Sequence, residues 1–267
     1  MAEPRFVKIA LRLATLFVLS FIYVPIAVLA IQAFNSSQIQ AWPPRGYTIQ
    51  WFIEAANNPA VIKALFNSLA AASLATVLAL ILGTLAALAV QRYDFFGRQT
   101  ISFFLILPIA LPGVVSGIAL RTTFTTFGVD LGLMTIIVGH ATFCVVVVYN
   151  NVVARLRRLP RSPEEASADL GADSFTTFRR VTMPGIWTAL VSGGLLAFGL
   201  SFDEIIVTVF TAGAGTQTIP MWIYSAIQRP NELPVVNVVA LVLIVISVLP
   251  VYIATRISGD TGAAGRI

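Results

Sequence analysis

Six apolar segments, each about as long as a bilayer is thick, constrain this chain more than any other feature. A spanning helix needs about 20 mainly apolar residues. The segments lie at Leu13–Ala33, Ser68–Val90, Ile101–Leu120, Gly132–Val153, Ile186–Phe210 and Val235–Ile257. With 57% hydrophobic and 11% charged residues, the chain is also unlike a soluble domain. We therefore predict an all-α polytopic membrane protein, with one transmembrane domain over residues 1–267 and a kink at Pro108 and Pro112 in the third span.

The basic residues are distributed unevenly among the predicted loops. Of the 17 Lys and Arg residues, 13 lie at the two termini, in the loop after the second span, or in the loop of residues 154–185. Basic residues mark cytoplasmic loops. Both termini and the loop 154–185 are therefore predicted to be cytoplasmic. The first apolar segment is too long for a typical cleaved signal sequence and is expected to be an uncleaved anchor.

The cytoplasmic loop contains the sequence SPEEASADLGADSFTTFRRVTMPG, residues 162–185. Ser162 followed by Pro163 and, three residues after the serine, by Glu165 is a capping-box pattern for a first helix. A second amphipathic stretch is predicted over Ser174–Val181. The loop is thus expected to fold into two short helices rather than to form a slack linker.

The spacing within this loop resembles the EAA loop of ABC importer permeases. The matching positions are Glu165-Ala166-Ser167, Gly171, and Val181-Thr182-Met183-Pro184. Ser167, Val181 and Met183 depart mildly from the family residues, whereas the spacing is kept. The resemblance implies the type I ABC importer fold, with six transmembrane helices and a coupling helix between the fourth and fifth spans. It also implies a bacterial inner-membrane location.

In that family the coupling helix docks into a separate ATPase subunit, which closes on ATP and moves the membrane helices. The resemblance assigns this coupling to Glu165, Ala166, Ser167, Gly171, Phe175, Phe178 and Pro184. Phe175 and Phe178 remain open between contact with the ATPase and packing beneath the membrane helices. Neither Lys8 nor Lys63 follows a Gly-x4-Gly pattern, so the sequence contains no phosphate-binding P-loop. The chain is expected not to be an enzyme and to hold no cofactor, with ATP and Mg on the partner ATPase.

A narrower resemblance covers Tyr47 to Ser247 and links the chain to the second permease subunit of spermidine/putrescine importers. The features that carry it are Ser201-Phe202-Asp203-Glu204, Gly213 to Gly215, Thr218-Ile219-Pro220, Ile223-Tyr224-Ser225 and Asn237. The stretch QRPNELPVVN departs from the family, in which a glycine-containing turn and Ser-Pro-Glu precede the asparagine. The resemblance implies a polyamine as solute and, as partners, a second permease subunit, two ATPase subunits and an extracytoplasmic solute-binding protein. Membrane lipid is the other expected contact, and nucleic acid is not.

Other functions remain open at this point. The same machinery serves γ-aminobutyrate or other amino acids, phosphonates and ferric ion. A secondary transporter or channel is the alternative from a different class. A membrane enzyme is least expected because no catalytic set of side chains is recognisable. His140 and Cys144 are too few to form a metal site, and we predict that they pack inside the helix bundle.

Asp203 and Glu204 stand side by side in the predicted fifth span, where carboxylates are costly. On a continuous helix they point about 100° apart. The stripe of Glu204 includes Ser201 and Thr208 and is small and polar, whereas that of Asp203 is mostly apolar. We therefore predict that Glu204, Ser201 and Thr208 line the translocation pathway and that Asp203 lies at a seam or gate. The alternative is a structural role, in which the acids pair with backbone groups or with Arg121 or Arg229.

Overall fold

The computed structural model of the protein describes residues 5–263, and every regular element in that range is a helix. Arg266, one of the basic residues counted above, lies outside it. The helices are α1 (Arg5–Ala33), α2 (Gln50–Asn57), α3 (Pro59–Arg92), α4 (Arg98–Ala110), α5 (Gly113–Thr126), α6 (Leu133–Leu156), α7 (Ser162–Asp169), α8 (Ser174–Thr177), α9 (Met183–Phe202), α10 (Ile206–Thr211), α11 (Ile219–Ala226) and α12 (Leu233–Ala263). A π-helical turn, Phe178–Thr182, joins α8 to α9, and a 3-10 turn, Pro230–Glu232, precedes α12. The predicted all-α class is confirmed.

Five of the described helical stretches are long and apolar enough to cross a membrane, and a bent pair of helices raises the number to six if it forms one span. The five stretches are Phe6–Ala33, Pro59–Arg92, Leu133–Leu156, Ser174–Phe202 and Pro230–Leu249. The bent pair is α4 with α5. The number of spans depends on how that pair is counted, so six spans stay a prediction.

The third predicted span, Ile101–Leu120, is not one continuous helix. It breaks after Ala110, and the following helix resumes at Gly113 with a change in direction of 106°. Leu111 is extended, with φ −77° and ψ 142°. It precedes Pro112, whose ring disfavours the helical conformation of the residue before it. The predicted kink is therefore a full break at Pro112, whereas Pro108 is accommodated inside α4.

The described residues divide into two compact units. The smaller unit comprises Ile223–Ile244 and the described residues up to Ile62. In it, the indole Nε1 of Trp51 donates a hydrogen bond of 2.8 Å to the carbonyl oxygen of Asn35, and the Asn237 amide donates one of 2.7 Å to Gln40. The first of these contacts is buried and the second is half-buried, and both hold the loop that follows α1. The single permease domain over residues 1–267 stays a prediction.

The larger unit comprises Lys63–Trp222 and the described residues from Val245 onward. Its core lies between α6 and α9, where small side chains let the helix backbones approach each other. The short helix α10 packs against α5 and α6. A Cβ atom at Gly117 would collide with the ring of Phe210, and one at Gly139 would lie 3.2 Å from Cγ1 of Val207. The two glycines thus make room for α10.

The fifth predicted span, Ile186–Phe210, is interrupted, and its bounds need correction at both ends. The helix begins at Ser174, twelve residues before the predicted start, and runs through the π-helical turn to Phe202. It then stops, and α10 begins at Ile206. The interruption falls on Asp203 and Glu204, the two acids that the sequence singles out.

Candidate functional site

The break between α9 and α10 places the two acids in different environments. Asp203 is exposed and Glu204 is half-buried. Oε1 of Glu204 accepts a hydrogen bond of 2.9 Å from the backbone N–H of Val207. That N–H belongs to the first turn of α10 and has no partner within its own helix, so the carboxylate caps the helix. The positive end of the short helix also stabilises the negative charge.

The break corrects the predicted orientation of these side chains. A period of 3.6 residues applies only to a continuous helix, and it does not carry across residues 203–205. Ser201 is 2% exposed and Thr208 is fully buried, so neither faces open space in this structure. Asp203, predicted at a seam, is the exposed acid. The structural alternative is supported in part for Glu204, which bonds a backbone group.

Among the described residues, neither Arg121 nor Arg229 forms an ion pair with Asp203 or Glu204. In the described part of the chain no ion pair joins Arg121 to either acid. Arg229 forms an ion pair with Glu232 in the smaller unit. The charge of Asp203 is therefore not neutralised by Arg121.

His140, in the N-terminal third of α6, contacts both sides of the break. Its Nδ1 lies 2.8 Å from the hydroxyl of Ser201, in the last turn of α9, and its Nε2 lies 2.8 Å from the hydroxyl of Thr208, in α10. The imidazole is 1% exposed. Its position inside the bundle agrees with the prediction, but the two hydrogen bonds were not foreseen. Both ring nitrogens are occupied by hydroxyl groups of the same broken helix.

A further hydrogen bond holds the far end of α10 to α6. The hydroxyl of Thr135, at the start of α6, donates to the backbone carbonyl of Thr211 at 2.7 Å. A buried carbonyl at a helix C-terminus lacks an intrahelical partner and needs such a donor. The short helix is therefore attached to α6 at both ends, through His140 and through Thr135.

The loop between α6 and α9, at the other end of α9 from the break, forms a compact pair of helices. After α7 the backbone N–H groups of Gly171 and Ala172 bond to the carbonyls of Ala168 and Ser167 at 2.9 and 3.1 Å. Gly171 has φ +80°, so this is a Schellman turn, which favours glycine. Asp173 then caps α8 by accepting a bond of 2.8 Å from the N–H of Thr176.

Two details of this loop concern charge and capping. Hydrogen bonds from Thr176, above all from its side chain, hold the pKa of Asp173 below its ordinary value.

The predicted capping box at Ser162 is wrong. The helix α7 already includes Ser162, and the backbone carbonyl of Arg161 accepts its first bonds from Glu164 and Glu165 instead. The carboxylate of the neighbouring Glu164 bonds to Arg92 and Thr182.

Glu164 joins the loop to two other elements. Nη2 of Arg92, the last residue of α3, donates to Oε1 of Glu164 at 3.1 Å, and its Nε lies 2.9 Å from Oε2. The hydroxyl of Thr182, in the π-helical turn, donates to the same carboxylate at 2.8 Å. Sequence reasoning missed this role. The side chains of Arg92 and Glu164 are 14% and 21% exposed, so the pair is shielded from water.

The residues predicted for ATPase coupling fall into two groups. Glu165, Ala166, Gly171 and Phe175 are exposed, and Leu170, which was not predicted, is 89% exposed beside them. Two others are half-buried: the Ser167 hydroxyl bonds to Thr177 at 2.9 Å, and Phe178 lines an apolar groove with Leu80 and Trp187. Pro184, in the first turn of α9, is exposed. The two phenylalanines thus separate, with Phe175 outward and Phe178 beneath the membrane helices.

Comparison with known proteins shows where this architecture recurs. Residues 79–260 match the family model for the binding-protein-dependent transport system inner membrane component. The chain is 36% identical over 229 residues to the putrescine transport system permease protein PotI of Escherichia coli K12, covering 83% of this chain and 80% of that protein. It is 33% identical to the spermidine/putrescine transport system permease protein PotC of Haemophilus influenzae, covering 93% of this chain and 96% of that protein.

A solved structure gives the same fold. A chain of a bacterial ABC transporter involved in the import of alginate superposes with a TM-score of 0.75 over 96% of both chains, at 15% identity. The family and the fold decide against the alternative of a secondary transporter or channel. The apolar helices and the family also make this a multi-pass protein of the bacterial inner membrane. The chain therefore belongs to the family of inner-membrane components of binding-protein-dependent transport systems, and it is a permease subunit of an ABC importer rather than an enzyme.

Proposed function

We propose that this permease moves a polyamine of the putrescine and spermidine kind. The observation that carries the proposal is the 36% identity to a putrescine permease, which extends over 83% of the chain. The chemistry of the break supports it, because Asp203 and Glu204 offer two carboxylates to a polycation within one apolar bundle. A conduit must bind its solute weakly enough to release it. One exposed carboxylate and one half-buried, capped carboxylate suit such transient binding.

The proposed assembly contains this chain as a single permease domain, a second permease subunit, two ATPase subunits and an extracytoplasmic solute-binding protein. ATP and Mg are bound by the ATPases. The exposed face formed by Glu165, Ala166, Leu170 and Phe175 is the proposed docking surface for one of them, because apolar side chains this exposed on a polar loop mark interaction sites. Both termini and this loop lie in the cytoplasm in the proposed orientation, following the positive-inside bias.

Uptake by the reconstituted complex tests the solute. The complex is purified from its native membrane through a tag on this chain, placed in liposomes with its loaded binding protein, and supplied with ATP. We expect ATP-dependent accumulation of radiolabelled putrescine or spermidine. Accumulation of γ-aminobutyrate, 2-aminoethylphosphonate or ferric ion instead of both polyamines overturns the proposal for the solute. Accumulation that continues without ATP overturns the proposed energy source.

A matched pair of substitutions tests the carboxylate. Asp203→Asn keeps the shape of the side chain and removes its charge, and we expect polyamine uptake to fall by about tenfold, since a hydrogen bond to a charged group is worth roughly 1.5–3 kcal/mol. Asp130→Asn makes the same change at an exposed acid between α5 and α6 and should leave uptake unchanged. Equal uptake by Asp203→Asn and by the unaltered complex argues against a solute contact at Asp203.

A further inference from the structure

We propose that His140 is a positioning residue that holds the two acids of the broken span in the geometry in which a polycation passes them. The inference rests on the proposed polyamine transport and extends it to a residue that does not itself contact the solute. His140 lies on α6, whereas the acids lie between α9 and α10. Within the described residues, its hydrogen bonds toward them run through the hydroxyl groups of Ser201 and Thr208.

The hydrogen-bond donors and acceptors around Thr208 determine the tautomer of the imidazole. The Thr208 hydroxyl lies 2.7 Å from the backbone carbonyl of Glu204, which can only accept, so the hydroxyl donates its one proton there. Its oxygen then accepts from His140, and Nε2 must carry the hydrogen. Nδ1 is left with a lone pair and accepts the proton of the Ser201 hydroxyl. In this assignment a neutral imidazole has a hydroxyl partner at each ring nitrogen.

The chain of bonds ends at Glu204. From Nε2 it passes through the Thr208 hydroxyl to the carbonyl of Glu204, and the carboxylate of the same residue caps α10 at the N–H of Val207. The backbone at Glu204 is therefore fixed from His140 on one side and from α10 on the other. The N–H groups of Asp203 and Glu204 still bond back to Gly199 and Ser201 at 3.3 and 3.4 Å, so the bonds through Thr208 and Val207 are what hold the far side of the break.

Two amide substitutions test the hydrogen bonds of His140 to Ser201 and to Thr208 separately. In His140→Asn the amide occupies the position of Nδ1 and retains the contact with Ser201 only. In His140→Gln it reaches the position of Nε2 and retains the contact with Thr208 only. We expect His140→Asn to transport about fivefold fewer polyamine molecules per ATP hydrolysed, with His140→Gln closer to the unaltered complex, because the Thr208 contact is the one that continues to Glu204.

The ratio of transport to hydrolysis separates positioning from folding. A substitution that only destabilises the bundle lowers the amount of assembled complex, and uptake and ATPase activity fall together with an unchanged ratio. Thr142→Val is the control, since it removes from the same helix a hydroxyl that donates to the carbonyl of Gly139 and has no link to the break within the described residues. Unchanged ratios in both His140 variants, or equal losses in the Asn and Gln variants, overturn the proposal. If polyamine transport itself is wrong, the unaltered complex fails to accumulate polyamine, which is a separate outcome.

The tautomer offers a test that does not depend on transport. The chain has one histidine, so the full chain labelled with 15N-histidine, carrying a histidine-free tag and placed in lipid nanodiscs, gives ring nitrogen signals from His140 alone. We expect a protonated Nε2 and an unprotonated Nδ1. A protonated Nδ1 with an unprotonated Nε2 reverses the bond to Thr208 and overturns the chain of contacts to Glu204.

Discussion

Among single residues, Glu204 combines a charge with a structural hydrogen bond, and two substitutions separate these contributions. Glu204→Gln removes the charge but retains an oxygen that accepts from the N–H of Val207. Glu204→Ala removes both, and the loss of a capping acceptor costs about 1 kcal/mol. We expect Glu204→Ala to unfold at a lower temperature than Glu204→Gln, measured by thermal unfolding of the purified chain in detergent. Equal destabilisation by the two substitutions would mean that the cap contributes nothing.

The conformation of Gly171 gives a second prediction for a single residue. Its φ of +80° is strained for any residue with a Cβ, although no other atom lies within 4 Å of the position that a Cβ would occupy. Gly171→Ala therefore changes backbone strain without a steric clash, at a cost of about 1 kcal/mol. We expect less ATPase to co-purify with this variant, because the turn sets the angle between α7 and α8. Gly97→Ala, at another position with φ +83° and no atom within 4 Å of a Cβ, is the control and should retain the ATPase.

At the scale of elements, the apolar segments could be predicted from the sequence but their interruptions could not. Hydropathy continues from Ile205 to Phe210 as though the fifth span were unbroken, and the adjacent acids give the only local sign of a break. The two hydrogen bonds of His140 are even less predictable from local sequence patterns. Its partners are 61 and 68 residues away along the chain, and only the packing of α6 against α9 and α10 brings them together.

The ion pair between α3 and α7 supplies a prediction at the same scale. Arg92→Ala removes the shielded contact with Glu164, and we expect amide hydrogens of α7 to exchange about fivefold faster, since a hydrogen bond contributes about 1 kcal/mol. Arg98→Ala is the matched control because its partner, Asp94, is 88% exposed and such pairs contribute little. Hydrogen exchange followed by mass spectrometry measures both variants. Equal exchange in both variants would show that α7 does not depend on Arg92.

For the whole molecule, the proposed orientation in the membrane can be tested with new thiols. The single cysteine, Cys144, is buried, so the unaltered protein serves as an unlabelled control. A membrane-impermeant maleimide should label Ser162→Cys in inverted vesicles only and Gln38→Cys in right-side-out vesicles only. Both positions are exposed in the structure. Labelling from the opposite sides would reverse the topology that the charge bias indicates.

The π-helical turn at Phe178–Thr182 has a mechanical consequence for the importer. Because the turn continues the helix rather than ending it, α8 and α9 form one rod of 29 residues, about 43 Å long at 1.5 Å per residue. The rod starts beside the proposed ATPase surface and stops at Asp203. We therefore expect the rod to behave as a lever arm, so that a tilt imposed at Phe175 also moves its far end beside the two carboxylates.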